Sequence, residues 1–219
     1  MPTAQLITLT DPRAAAAEAY RALRTNLMFS SVENPIHTLL VTSTAQADDK
    51  SIVLANLAVT FAQGGNKTIL VDSDLRKPTQ HDIWGISNER GLTTMMLEDA
   101  AMSTPPLNNT DIDGLQILPC GPLPPNPADV LSSQRMNAVI GVLKARANYI
   151  LFDAPPVLAA TDAALLATKL DGVLLVIQAG HTRRDHTAHA RESLQRIHVR
   201  IVGAVLSNAP KENVGGEYA

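Results

Sequence analysis

The chain is short of several things that would point to a specialised surface. It has one cysteine, Cys120, among 219 residues, so neither an intrachain disulfide nor a cysteine cluster for zinc can form. It has no surplus of positive charge: the formal net charge is −3 and the pI about 6.0, which gives no support for a general nucleic-acid binder. No apolar run reaches the ~18–20 residues of a membrane helix. The opening stretch MPTAQLITLTDPR lacks the apolar segment of a signal peptide, so the expected compartment is the cytoplasm, with no direct membrane insertion. Internal repeats and low-complexity tracts are missing too. A loop whose ending calls for glycines, STAQADDKS at residues 43–51, carries none.

What is present is core. The chain is 45% hydrophobic and 18% charged, and its length favours one domain, residues 1–210, followed by a short tail at 211–219. Five short apolar runs occupy residues 37–43, 67–72, 114–119, 149–155 and 172–178, and a sixth, RIVGAVLSN, occupies 200–208. They are apolar along their length instead of alternating, as strands of a parallel sheet buried on both faces are. Helical patterns at 14–31, 51–64, 132–147 and 182–197 supply crossovers, the second apolar nearly all round and closed by Gly64-Gly65. Residues 78–113 read as irregular and polar, and CGPLPPNPADV at 120–130 as a proline-dense loop leading into a short helix. The expected fold is α/β: a doubly wound, mostly parallel sheet with helices on both faces.

Three stretches carry chemistry. In TLLVTSTAQADDKSIVLANLA a strand, a loop ending in Lys50-Ser51 and a helix follow the P-loop layout, in which backbone N–H groups and a helix N-terminus face phosphates. The pattern G-x-x-x-x-G-K-[ST] fails at both glycine positions, which are Thr44 and Asp49, so the bland reading, a helix capped by aspartate, stands beside it. ILVDSDLRKP places Asp72 and Asp74 at the end of an apolar strand, where they suit metal-water coordination and activation of an attacking group; the alternative is a strand cap with Asp74 paired to Arg76. YILFDAPPV delivers Asp153 and two prolines at the end of another strand, as a Walker B element does. Ligands of open parallel sheets bind at this carboxyl edge.

With EAYRALRTNLMF at 18–29, LPCGPLPPNPADVLSS, TDAALLA, DGVLLVIQAGHT and VGAVLSN in order around these motifs, the sequence resembles the bacterial tyrosine kinase (BY-kinase) family over residues 6–208. That resemblance implies a P-loop kinase governing surface polysaccharide production and export, transferring phosphoryl from ATP to tyrosine with Mg²⁺. It assigns the phosphate contact to Lys50 and the metal hydroxyl to Ser51. Asp72, Asp74 and Asp153 become the catalytic acids, with Asp72 and Asp153 on the metal side. The nucleotide would be lined by Thr44, Ala47, Asp48, Asp49, Lys50, Ser51 and Ile52, with Asn208 near the adenine. Glu18, Arg21 and Arg24 match residues that join subunits in a homo-oligomeric ring. Their i, i+3, i+6 spacing covers about a third of a helix face, although a solvated face with an internal Glu-Arg pair has the same spacing. With no membrane segment of its own, the chain resembles the subset that works with a separate membrane activator.

Two departures follow. Ala47 and Asp49 stand where the family loop has glycines that let the backbone approach phosphate. A carboxylate about 4 Å from a phosphate charge costs on the order of 4 kcal/mol at an effective dielectric near 20, falling toward ~1 kcal/mol if it faces solvent. One expectation is that Asp49 caps the helix and pairs with Lys50, acting as the chain's own phosphate mimic. The second departure is the tail, APKENVGGEYA, where Tyr218 stands alone in place of a tyrosine cluster, while Tyr20 and Tyr149 fall in a helix and a strand. Two functions therefore stay open: an ATP-dependent tyrosine autokinase, or a pseudokinase whose loop Asp49 blocks and which acts as a scaffold. A partitioning-type ATPase has no support beyond the shared fold. The histidine-rich segment 181–200 could set Asp185, His186 and His189 at metal-binding spacing, but it fits the solvated face of an amphipathic helix better.

Overall fold

The structure, a computed structural model, describes residue 2 and residues 4–29, 34–44 and 49–209. Ala47, Asp48 and Tyr218 lie outside the described residues. In chain order the elements are α1 (Ile7–Thr10), α2 (Ala15–Phe29), β1 (Thr38–Ser43), α3 (Lys50–Gln63), β2 (Thr68–Asp72), α4 (Gln80–Trp84), α5 (Leu92–Leu97) and α6 (Asp99–Ser103). They continue with β3 (Asn108–Asn109), β4 (Leu115–Leu118), α7 (Pro127–Ser132), α8 (Gln134–Lys144), β5 (Tyr149–Asp153), α9 (Asp162–Ala167), β6 (Gly172–Gln178), α10 (Arg184–Arg196) and β7 (Ile201–Ser207).

The strands form one seven-stranded sheet in the order β3-β4-β2-β5-β1-β6-β7, and only the short β3 runs antiparallel. Alternate residues of the central strands feed two cores. Leu39, Val41, Leu70 and Leu151 pack with α2 and α3, while Leu40, Ile69, Val71 and Phe152 pack with the helices of the opposite face. Helix α3 is apolar nearly all round because it lies between the sheet and α2, and it buries Val53, Leu54, Leu57, Ala58 and Phe61. No helix among the described residues is long and apolar enough to cross a membrane.

The six apolar runs are strands and the fold class is as expected. One expectation needs correction. Residues 78–113 are not irregular: they hold α4, α5, α6 and β3, elements of two to six residues that are too short to show a helical or strand period. The short helix expected after the proline-dense loop is α7, and the helix expected over 132–147 is α8, which starts where Ser133 turns extended and its hydroxyl accepts Met136 N–H.

Candidate active site at the carboxyl edge of the central strands

Strands β2, β5 and β1 are neighbours at the centre of the sheet, so their ends meet at one edge. Asp72 of β2 is in register with Asp153 of β5, and Ser73 N–H extends that ladder to the Asp153 carbonyl at 2.9 Å. Beyond β1, residue 49 precedes the first turn of α3, which carries Lys50 and Ser51. The prolines after Asp153 end β5 and fold its loop over β1, where the Thr42 hydroxyl donates to the Pro155 carbonyl at 2.7 Å. The edge opens on a cleft of about 500 Å³ lined by Lys50, Ser51, Asp74, Arg76, Lys77 and Pro155, among others.

The lysine and the acids expected to act together do converge. Lys50 Nζ is 3.0 Å from Asp153 Oδ1, 3.1 Å from Asp74 Oδ2 and 3.3 Å from the Ser51 hydroxyl. Burial alone would lower the Lys50 pKa, but the charges of Asp153 and Asp74 outweigh it and hold the ammonium above its ordinary value. Asp72 is sealed from solvent and accepts Thr79 N–H at 3.0 Å and Gln80 N–H at 2.9 Å. Burial first, and the Asp153 charge second, push its pKa well above the usual carboxylate range. Asp74 Oδ1 accepts Lys77 N–H at 3.0 Å, which aims its other oxygen at Lys50.

Three buried carboxylates around one ammonium leave the cluster short of positive charge, and a divalent cation fits that deficit. No group of three His, Cys, Asp or Glu side chains among the described residues is arranged to hold a metal unaided. A Mg²⁺ here would therefore take its shell from the Ser51 hydroxyl, Asp153 or Asp72 through water, and phosphate oxygens.

Asp49 does not do what the sequence suggested. It makes no side-chain cap to α3, it forms no ion pair with Lys50, and its carboxylate accepts the Asn208 amide at 2.9 Å. Consecutive residues at a helix start point about 100° apart, so Lys50 turns inward to the acids while Asp49 faces the end of β7. The phosphate-mimic expectation is overturned in that respect. A second cleft of about 630 Å³, which Tyr20, Asp49, Ile52 and Asn208 help to line, adjoins this point. The Tyr20 phenol is pushed up to about 12 by burial and by the Asp49 charge. Thr44 is buried at the end of β1.

The Arg76 guanidinium does not pair with Asp74. It binds the fully buried Asp162 bidentately, at 2.8 and 2.9 Å. Glu18 and Arg21 form an exposed pair at 2.7 Å, whereas Arg24 is turned onto α3, donating to the Thr60 carbonyl at 2.7 Å. Tyr20 and Tyr149 are half-buried, the latter packed on Phe61 with ring centres 4.5 Å apart. Asp185 is held by the Arg183 fork on the exposed side of α10, whose buried residues are Ala190 and Leu194.

Two residues that matter to the site went unrecognised in the sequence. Gln80 Nε2 donates to Asp153 Oδ2 at 2.7 Å, and Asp162 anchors Arg76 at the mouth of the cleft. Nothing in their local pattern marks them, apart from the place of Asp162 in TDAALLA.

No family model matches the chain. It is 38% identical over 213 residues to the tyrosine-protein kinase YwqD of Bacillus subtilis (strain 168), covering 97% of this chain and 89% of that one. Among solved structures, the chimerical protein CapA2B2 is similar with a TM-score of 0.88 at 32% identity, covering 94% of this chain and 90% of that chain. The kinase domain of the Escherichia coli tyrosine kinase ETK is similar with a TM-score of 0.90 at 27% identity, covering 99% and 84%.

Proposed function

Since the chain belongs to the bacterial tyrosine kinase family, we propose that it transfers the γ-phosphoryl group of ATP to a tyrosine hydroxyl in the control of surface polysaccharide production. The observation that supports this best is the convergence of Asp72, Asp74 and Asp153 on Lys50 at one edge of the sheet.

In this reading Lys50 leaves the acids for the β- and γ-phosphate oxygens when nucleotide enters. Bound Mg²⁺ supplies charge neutralisation on those same oxygens. The Ser51 hydroxyl and Asp153 face the metal side, with Asp72 behind them. The tyrosine proton passes to a carboxylate of the Asp72–Asp74 pair: Asp74 lines the cleft, and Asp72 stands behind it with a pKa raised by burial and then by the Asp153 charge. Asn208 stands beside the adenine. The tail brings Tyr218, a neighbour's or its own, to the cleft. Glu18, Arg21 and Arg24 of α2 join subunits in a ring, with Arg24 also tied to α3 through the Thr60 carbonyl. The protein is cytoplasmic and is recruited by a separate membrane activator.

The replaced glycines favour a second reading, a pseudokinase acting as a scaffold, in which Ala47 and Asp49 keep the phosphates out. Calorimetry of Mg·ATP and Mg·ADP binding separates the two. Micromolar binding by the unaltered chain, with phosphotyrosine appearing on Tyr218, upholds the kinase. Binding only after Ala47→Gly with Asp49→Gly overturns it in favour of the scaffold.

A further inference from the structure

We propose that Gln80 is a positioning residue whose single amide holds both metal-side residues of the site, Asp153 and Ser51; the inference rests on the nucleotide-binding reading above. Gln80 opens α4 and is fully buried. Its Nε2 donates to Asp153 Oδ2 at 2.7 Å and to the Ser51 carbonyl at 3.1 Å. Its Oε1 accepts the Trp84 indole N–H at 3.1 Å, one turn later in the same helix.

The indole N–H can only donate, and this fixes which end of the amide is oxygen. A flipped amide would set Oε1 against a carboxylate and a carbonyl, and its NH₂ against the indole N–H. The lock is itself immobile, because Trp84 is packed at the foot of α4 with 4% exposure.

The consequence lies in how Asp153 divides its oxygens. Oδ1 faces Lys50 and Oδ2 faces Gln80, which is the only hydrogen-bond donor to Oδ2 among the described residues. When Lys50 transfers to phosphate, Oδ1 is released toward the metal side while Oδ2 stays held, so the carboxylate keeps its rotation. The same amide ties the first turn of α3 through the Ser51 carbonyl. One planar group thereby sets the separation between β5, which carries the acid, and α3, which carries the hydroxyl.

Trp84 is the only tryptophan in the chain, so in uniformly ¹⁵N-labelled protein its indole ¹H–¹⁵N signal reports on this amide without further assignment. The test is ADP affinity by calorimetry with and without Mg²⁺, on the unaltered chain, Gln80→Leu and Trp84→Phe. For Gln80→Leu, Mg²⁺-free ADP affinity should stay within about twofold while the Mg²⁺-dependent gain falls about tenfold or more. The indole signal should move when Mg²⁺ joins ADP in the unaltered chain and stay still in this variant. Trp84→Phe keeps an aromatic ring but removes the N–H, which frees the amide, and it should lose part of the same gain; if Gln80→Leu does not fold, this variant decides the matter alone. A Mg²⁺-dependent gain in the unaltered chain that the folded variants retain in full overturns the role of Gln80 and leaves the nucleotide reading standing. An unaltered chain that binds no Mg·ADP overturns both.

Discussion

Asp72 stands opposite Asp153 in the β2–β5 ladder, and both carboxylates are sealed from water. Two like charges in that position cannot both be held cheaply, and the strain falls on Asp72, whose pKa is raised by burial and then by the Asp153 charge. The folded chain therefore keeps a proton that the unfolded chain releases near the ordinary value of 3.8. Stability from this group is complete below that value and is lost as pH climbs toward the folded pKa. Asp72→Asn has no such proton to lose. Its melting temperature relative to the unaltered chain should rise as pH climbs above about 4, and a flat difference would show that Asp72 does not titrate across folding.

Lys50 is the ammonium that pairs with Asp74 and Asp153, and its raised pKa means that its contribution is fully present at neutral pH. Lys50→Met leaves buried charge uncompensated and should cost about 3 kcal/mol in denaturant unfolding at neutral pH. Mg²⁺ should restore part of the loss. A variant as stable as the unaltered chain, indifferent to Mg²⁺, would remove the ammonium from any structural account of the site.

The Asn208 amide holds the Asp49 carboxylate at 2.9 Å. Asn208 has a φ of 53°, a left-handed backbone that glycine also adopts readily. Asn208→Gly should keep the turn and release the carboxylate, weakening ADP binding about fivefold through ~1 kcal/mol of repulsion in a solvent-like dielectric. In an Asp49→Gly background the same change should have no effect on affinity. Equal losses in both backgrounds would mean that Asn208 acts on the nucleotide directly and not through Asp49.

The Arg76–Asp162 pair is lopsided, with 48% of the arginine side chain exposed and none of the aspartate. Removing the two partners should not be equivalent. Arg76→Leu strands a buried carboxylate and should cost about 3 kcal/mol, whereas Asp162→Asn leaves an arginine that water can solvate and should cost about 1 kcal/mol. Urea unfolding of the two variants measures the asymmetry, and equal costs would show that Asp162 finds water or a proton when its partner is gone.

Six of the seven strands were legible because each lies in an apolar run with an acid or a turn at its end, as in KTILVD and YILFDAP, whereas β3 is only Asn108-Asn109. Lys50, Asp72, Asp74 and Asp153 were legible for the same reason: strand ends of a parallel sheet share one edge. Gln80 was not, because PTQHDIW makes a helix of only five residues and its amide acts on a residue 73 positions away. Asp162 is separated from Arg76 by 86 positions, and nothing local foretells that pairing. The error over Asp49 came from treating sequence neighbours as spatial partners at a helix start, where adjacent side chains diverge.

The strand order has a consequence for how the molecule opens. β5 and β1 lie in the middle of the sheet, whereas β7 is an edge strand whose residues are only half-covered. Amide protons of β5 and β1 belong with the slowest to exchange with solvent, and those of β7 with the fastest. The acids therefore sit on the most persistent part of the fold, and Asn208, with the Asp49 it restrains, on the part that breathes. The Asn208–Asp49 contact will open and reclose many times over while Asp72 and Asp153 stay assembled.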